Sequence, residues 1–370
     1  MTSTQLVVPH SDMLNIRLVK GVDLTDDLAI QWEKLRSENP RLYSPFYSFD
    51  FTRIVARVRD DVEVAVISDE DAVVGFLPFH RIKNSHAIPV GGKMNDAHGP
   101  IASAATTLNM QSLLRKCRLQ SWDFHALFWP MEVLKDCSFT RVKSYMACLD
   151  DCPEGYRKNL ESRNYTIETH RRKSRKFAKK FPNTRLEFHS ANVDYLEKLI
   201  QLKSDQYQRT HIFDIFSVPW TTNLVREFMG HKGHTLSGCL SVLFADDQNV
   251  AAMHFGIREG DLLHYWFPVY SPEYSQYSPG TELFLQIVDA APANGIQRID
   301  MGYGEQLYKE KLVNRIDEAL VGTVATSDFV WGTRRCQYLV RERMKSVILK
   351  ETIKRGIRSV WPSFGKGQFR

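Results

Sequence analysis

Alternating apolar and polar positions over Asn15 to Lys20 predict a short strand, and the spacing of Leu28, Trp32 and Leu35 predicts an amphipathic helix behind it. Asn39-Pro40 ends that helix, because a residue preceding proline avoids helical backbone angles. Ser44-Pro45 predicts a restart, with Ser44 as N-cap and Pro45 in the first helical position. Val62 to Ile67 and Ala72 to Ile82 predict two strands about the acidic turn Ser68 to Asp71. A glycine-rich loop from Val90 to Pro100 follows. Beyond it the pattern predicts a helix over about Thr107 to Cys117 and strands over Asp123 to Phe128 and Thr140 to Leu149. Asp150-Asp151-Cys152-Pro153 interrupts the pattern and predicts a domain boundary.

The second half opens with basic helical sequence from Pro153 to Lys180, then a strand (Arg185 to His189) and helices over Val193 to Thr210 and from near Pro219. Thr235 to Ala245, Val250 to Arg258 and Leu262 to Tyr270 predict three strands joined by the tight turns Asp246 to Asn249 and Glu259 to Asp261, an antiparallel meander. Ser278-Pro279-Gly280 opens a helix to about Ala293, Gly295 closes it, and Ile296 to Asp300 forms another strand. Asp69 to Phe76 and Asp246 to Met253 share one order: acidic turn, then strand with small residues. That echo makes two similar halves plausible.

A chain of 370 residues suits two domains of ordinary size, and 43% hydrophobic with 11% aromatic residues excludes a disordered or fibrous protein. No run approaches the roughly 18 apolar residues a helix needs to cross a bilayer. Met1 to Asp12 lacks the basic flank and apolar stretch of a secretory signal, so the expected compartment is the cytoplasm. Cys117, Cys137, Cys148, Cys152, Cys239 and Cys336 show neither a C-x-x-C pair nor a Cys/His ladder. No metal is expected from that spacing. The expected division is a disordered segment over 1–13, a first domain over 14–151, a second over 152–328 and a basic amphipathic tail over 329–370.

The net charge of +6 is unevenly placed. Arg157 to Lys180 holds ten Lys/Arg against two acidic residues, and Arg334 to Arg370 holds eleven against two, which leaves the rest of the chain acidic. The run Arg171 to Lys180 could grip phosphate, an anionic glycan or RNA, but a solvated helix face is the more usual reason for such a run. It lacks the interleaved aromatics of a base-stacking surface. The tail sets Leu339, Val340, Met344, Val347, Ile348, Ile353, Ile357 and Trp361 among basic residues, an amphipathic helix. It could cover the catalytic domain or lie on an anionic membrane near a polysaccharide synthase, an idea that Trp361, Phe364 and Phe369 keep open.

Several runs occur in a fixed order: Val250-Ala251-Ala252-Met253-His254-Phe255-Gly256, Tyr265-Trp266-Phe267-Pro268-Val269-Tyr270, Ser278-Pro279-Gly280-Thr281-Glu282-Leu283, and Asp300-Met301-Gly302-Tyr303-Gly304 with Tyr308-Lys309. Together with Gly75-Phe76-Leu77-Pro78-Phe79 and Asn95 to Pro100, they resemble the CelD/BcsL group of GNAT acyltransferases, a group related to the FemABX-type transferases. The likeness covers most of Leu14 to Ala325. It implies an α/β (α+β) fold of two tandem GNAT-like domains, each a mixed, mostly antiparallel sheet flanked by helices. It also implies transfer of an acyl group, acetyl foremost, from acyl-CoA to a hydroxyl or amine of a sugar-containing acceptor in exopolysaccharide or cellulose-related biosynthesis.

Under that resemblance the helix start at Ser278, Pro279 and Gly280 takes the CoA diphosphate on the amides of Gly280, Thr281, Glu282 and Leu283, with Tyr270 beside them. A proline-glycine turn and an ordinary helix cap are the plain alternative. The thioester is expected between two splayed parallel strands, Val250 to Arg258 and Tyr265 to Tyr270, where main-chain amides of a bulged strand polarise its carbonyl. Tyr308 is placed to protonate the departing thiolate and Lys309 to stabilise the tetrahedral intermediate; a half-buried anchor and a solvated charge are their structural alternatives.

General-base candidates are Asp300, Glu282, His254, Asp96 and His98. Asp300 ends a strand beside glycines but could simply cap the turn, and His254 lies on an apolar strand where core histidines are common. Asp96 and His98, with Tyr265 and Trp266, are the expected acceptor-binding residues. Two other functions stay open: aminoacyl transfer from charged tRNA, and a non-catalytic scaffold of a polysaccharide assembly.

Overall fold

The computed structural model describes residues 14–82, 85–128, 134–149, 153–163, 165–231, 233, 235–304 and 307–355. The expected disordered segment 1–13, Cys152, and Ile357, Trp361, Phe364 and Phe369 of the tail lie outside them. In chain order the elements begin with β1 (Asn15–Lys20), α1 (Asp26–Ser37), α2 (Phe49–Val58), β2 (Val62–Asp69), β3 (Ala72–Ile82), β4 (His86–Pro89), β5 (Ile101–Ala102), α3 (Met110–Lys116) and β6 (Ser121–Leu127). They continue with β7 (Ser138–Cys148), α4 (Pro153–Arg163), α5 (Tyr165–Lys180), β8 (Arg185–Glu187), α6 (Val193–Arg209), α7 (Pro219–Gly230), β9 (Leu236–Phe244), β10 (Val250–Glu259) and β11 (Leu262–Tyr270). The last are α8 (Pro279–Ala290), β12 (Arg298–Tyr303), α9 (Leu307–Glu310), β13 (Arg315–Ala325) and α10 (Asp328–Arg355).

Two compact units form: Met1–Val142 with Glu318–Arg370, and Lys143–Asp317. The linear division drawn from the sequence differs from this grouping at the C-terminal end. Leu320 to Ala325 of β13 pair antiparallel with β6, and that ladder ties the chain beyond Glu318 to the first unit. α10 follows: Trp331 and Tyr338 pack on Phe139, and Arg334 pairs with Asp123. The described part of the tail therefore packs within this unit.

In the first unit the strands run β1-β2-β3-β4-β6-β13, with β5 on β3. Every pairing is antiparallel except β4–β6, a parallel contact of two pairs, His86↔Ser121 and Ala87↔Trp122. Its core includes Ala65, Ile67, Leu77, Phe79, Leu114 and Trp122. The helix expected to restart at Ser44 begins later. Pro45–Tyr47 forms a 3-10 turn, and Ser48 caps α2 by accepting from the Phe51 amide at 3.0 Å.

In the second unit the order is β7-β12-β11-β10-β9-β8. β9, β10 and β11 make the expected antiparallel meander. α8 crosses from β11 to β12, and Leu283, Phe284, Ile287 and Val288 bury its inner face against Ala252, Leu263 and Ile299. Such a crossover is what a parallel contact between β11 and β12 requires. Among the described residues no helix is long and apolar enough to cross a membrane.

Candidate active site

β11 and β12 touch over three parallel pairs, Leu262↔Arg298, Leu263↔Ile299 and His264↔Asp300, and then separate. The splayed pair is therefore β11 and β12. The pair expected from sequence, Val250 to Arg258 with Tyr265 to Tyr270, is an antiparallel hairpin, because the short turn at Gly260 cannot make a parallel connection. The separation has a local cause. Asp300 Oδ1 accepts the Gly302 amide at 2.8 Å, and Gly302 takes φ +72°, so β12 turns away from β11 just past the last pair. β12 meets β7 again only at Tyr303↔Ser144.

Asp300 closes the apex of this split. It is buried, and its Oδ2 accepts from His264 Nδ1 at 3.1 Å, a side-chain bond beside the final ladder pair. Both of its oxygens are thus engaged, which makes it a positioning group. On the other side of β11, β10 shifts register between Phe255 and Ile257 at Gly256. A β-carbon on Gly256 would lie 2.1 Å from the His264 carbonyl and 2.7 Å from His254 Nε2, so the close approach of the two strands needs glycine there.

His254 and Tyr265 form the floor nearby. Their rings stack at 4.1 Å and 4°. Both are buried, yet His254 Nδ1, His254 Nε2 and Tyr265 Oη find no hydrogen-bond partner among the described residues. A satisfied core histidine does not look like this, because buried polar atoms are normally paired. Burial, with His264 nearby, holds His254 well below the ordinary histidine range, and burial holds the Tyr265 phenol up. Trp266, expected to share Tyr265's role, projects from the opposite face of the strand and packs on Phe228 of α7.

Two lysines flank the split. Lys309 is buried, donates to the Tyr303 carbonyl at 3.0 Å, and lies 6.0 Å from the Tyr145 ring centroid. A solvated charge is excluded for it. Lys203, from α6, is also buried, donates to the Pro268 carbonyl at 2.7 Å, and lies 5.2 Å from the Tyr207 ring centroid. Burial first, then the charge of Lys309, pulls Lys203 down to about 8. The sequence reading missed Lys203. The available signal was its place on the apolar face of α6, seven residues beyond Leu196 and in line with Leu199 and Ile200. Tyr308, beside Lys309, is 43% exposed, and loss of solvent raises its phenol to about 12, so it remains a proton donor at neutral pH.

The expected diphosphate turn is partly committed elsewhere. Ser278 adopts φ +56° and turns its carbonyl onto the first turn of α8, where the amides of Thr281 and Glu282 donate to it at 3.1 and 3.2 Å. Leu283 is buried in the core, past the open amides of a helix start. Of the four amides expected to hold phosphate, Gly280's is the one at the mouth of the turn. The Tyr270 ring lies beside it, 3.7 Å from where a β-carbon on Gly280 would stand.

The basic helix reaches this turn. Along α5, His170, Lys173, Ser174 and Phe177 recur at helical spacing and face α8, while Arg171, Arg172, Arg175 and Lys176 are exposed. Lys173 Nζ donates to Ser278 Oγ at 3.0 Å, and His170 Nε2 lies 3.2 Å from Glu282 Oε2. Burial alone would raise the Glu282 carboxyl, but hydrogen bonds from His170, Gln286 and Ser174 outweigh it and hold the group down to about 2. Glu282 is thus an ionised structural anchor.

Asp96 and His98 belong to the first unit. His98 is buried, and its Nε2 accepts the amides of His125 and Ala126 at 2.9 and 3.2 Å, which binds the Asn95–His98 loop to β6. Burial, then the Lys93 charge, keeps it well below the ordinary histidine range. Asp96 is half-buried in the same loop.

Residues 165–310 match the family model described as an acetyltransferase (GNAT) domain. The chain is similar in structure to FemX, at TM-score 0.56 and 10% identity over 84% of this chain and 97% of that one. It is similar to a tandem GNAT protein from the clavulanic acid biosynthesis pathway, at TM-score 0.51 and 12% identity over 85% and 99%. It is also similar to a C-terminal domain assigned to a lysylphosphatidylglycerol synthetase of Agrobacterium fabrum, at TM-score 0.51 and 13% identity over 84% and 96%. No curated protein sequence matches the chain. The fold is accordingly the mixed α/β, tandem GNAT type.

Proposed function

We propose that the chain is an acyltransferase that moves an acyl group, acetyl foremost, from acyl-CoA to a hydroxyl or amine of a sugar-containing acceptor, in the setting of exopolysaccharide synthesis. The observation that carries this reading is the split between β11 and β12 after His264↔Asp300, with the ammonium groups of Lys203 and Lys309 on its flanks. A thioester carbonyl laid in that split lies between two cations, an arrangement that stabilises a tetrahedral oxyanion. The acceptor attacks the carbonyl carbon, the carbon–sulfur bond breaks, Tyr308 gives its proton to the departing thiolate, and the proton lost by the acceptor hydroxyl or amine returns through water to the Tyr308 phenolate. His254 and Tyr265 hold a water or the acceptor group on their unpartnered atoms. The CoA diphosphate takes the Gly280 amide and Lys173.

Thiol release from acetyl-CoA, assayed with sugar nucleotides and amino sugars, tests this directly. Acceptor-dependent release, and loss of CoA binding in Gly280→Asp, are expected. An absence of CoA binding at millimolar ligand overturns it.

One observation favours a second reading. The Thr281 and Glu282 amides are spent on the Ser278 carbonyl, and the negative Glu282 carboxylate lies on the same first turns of α8, which leaves few donors for a diphosphate. An aminoacyl donor carried on tRNA has no such diphosphate. Its grip would fall on the exposed charges of α5, and salt-sensitive tRNA binding removed by neutralising Arg171, Arg172 and Arg175 would establish it.

A further inference from the structure

The first unit repeats the strand arrangement of the acyl-transfer half. β3 and β4 are antiparallel, β4 and β6 share a parallel contact of two pairs, and β6 returns antiparallel to β13. Past Ala87↔Trp122 the two parallel strands also stop pairing, and a cavity of about 320 Å³ opens between Ile88 and Pro89 on one side and Asp123, Phe124 and His125 on the other. Its floor is apolar and aromatic, with Ile82, Phe124, Phe139 and Val321. α10 supplies its outer wall through Arg334, Gln337, Tyr338, Arg341 and Glu342.

That volume is at the lower end of the range for small-molecule sites, large enough for a ring or a short acyl chain and too small for a whole CoA. The polar lining is unbalanced. Arg334 pairs with Asp123, which neutralises both, and His125 Nε2 is engaged by the Asn95 carbonyl. Lys93 and Arg341 then stand against Glu342, and Arg341 is exposed with no ion pair among the described residues. An apolar floor beneath a net cationic rim selects an amphiphilic anion.

We infer that the unit formed by Met1–Val142 and Glu318–Arg370 holds a second ligand site, between diverging β4 and β6 and under α10, for a compact anion with an aromatic or acyl body and a phosphate or carboxylate head. The body lies against Phe124, Phe139 and Tyr338, and Arg341 meets the head.

Titration of the full chain with phenyl phosphate and with octanoate, followed by calorimetry, tests the site and separates an aromatic from an acyl body. Saturable binding of one or both is expected, abolished by Val321→Trp, which fills the cavity. Arg341→Ala, at an exposed position that leaves the fold intact, is expected to weaken it by about tenfold, the effect of one charge-assisted contact. Absence of binding by both probes at millimolar concentration overturns the inference. So does binding that is indifferent to Arg341→Ala.

Discussion

Lys203 donates to the main-chain carbonyl of Pro268 at 2.7 Å, on the stretch of β11 that has already left β12. A buried amine held this way is costly unless something nearby uses its charge. Lys203→Met, which keeps the volume and removes the charge, is expected to lower kcat by about a hundredfold, the loss of one preorganised oxyanion contact. The fold should persist. Steady-state kinetics beside a circular dichroism melt separate the two effects.

The same residue sets a pH dependence. Its folded value, about 8, lies below the ordinary 10.5, so between these the unfolded chain holds the proton and the folded chain does not. Stability therefore rises with pH across that window, by at most about 1.4 kcal/mol per unit, and the cost of the buried charge is fully felt below 8. Across the window the stability of the wild type relative to Lys203→Met should rise with pH, whatever slope the buried thiols and phenols give to both proteins.

Tyr308→Phe removes the proton donor and leaves a ring of the same shape at a 43% exposed position. We expect kcat to fall by about a hundredfold with an unchanged melting temperature. Activity at the wild-type level would mean that the thiolate leaves without help from this phenol.

Gly256→Ala sets a β-carbon 2.1 Å from the His264 carbonyl, a backbone atom that cannot swing aside. A loss of about 2–4 kcal/mol in unfolding free energy is expected, measured in urea. Gly260→Ala, in open space at φ +55°, should cost less, about 1 kcal/mol.

Glu282, held down to about 2 against an ordinary 4.5, contributes stability that is fully present above 4.5 and lost as pH falls towards 2. Glu282→Gln should make the acid-side slope shallower by this residue's share, with Asp61, also held below its ordinary range, supplying another. An unchanged slope would place it on other carboxylates.

Much of this could be read from one dimension. The meander β9-β10-β11 was legible because Asp246 to Asn249 and Glu259 to Asp261 are local turns between apolar runs. The start of α8 at Pro279 was legible for the same reason. β13 was not, since it pairs with β6, far earlier in the chain, and no turn announces it. The charge of α5 read as solvated, and for Arg171 and Arg172 it is. Lys173 was legible only as one charge of the run and His170 not at all, because only the packing of α5 on α8 shows which residues of a charged helix point inward.

Residue order alone determined the meander, its turns and the start of α8, because periodicity, turns and helix caps are local properties. The tertiary structure decided that β11 and β12 are the strands that part, that Asp300 pins their junction, and that Lys203 joins Lys309 beside it. Strand partners and buried charges depend on contacts between residues distant in the chain, and no spacing along it encodes their geometry.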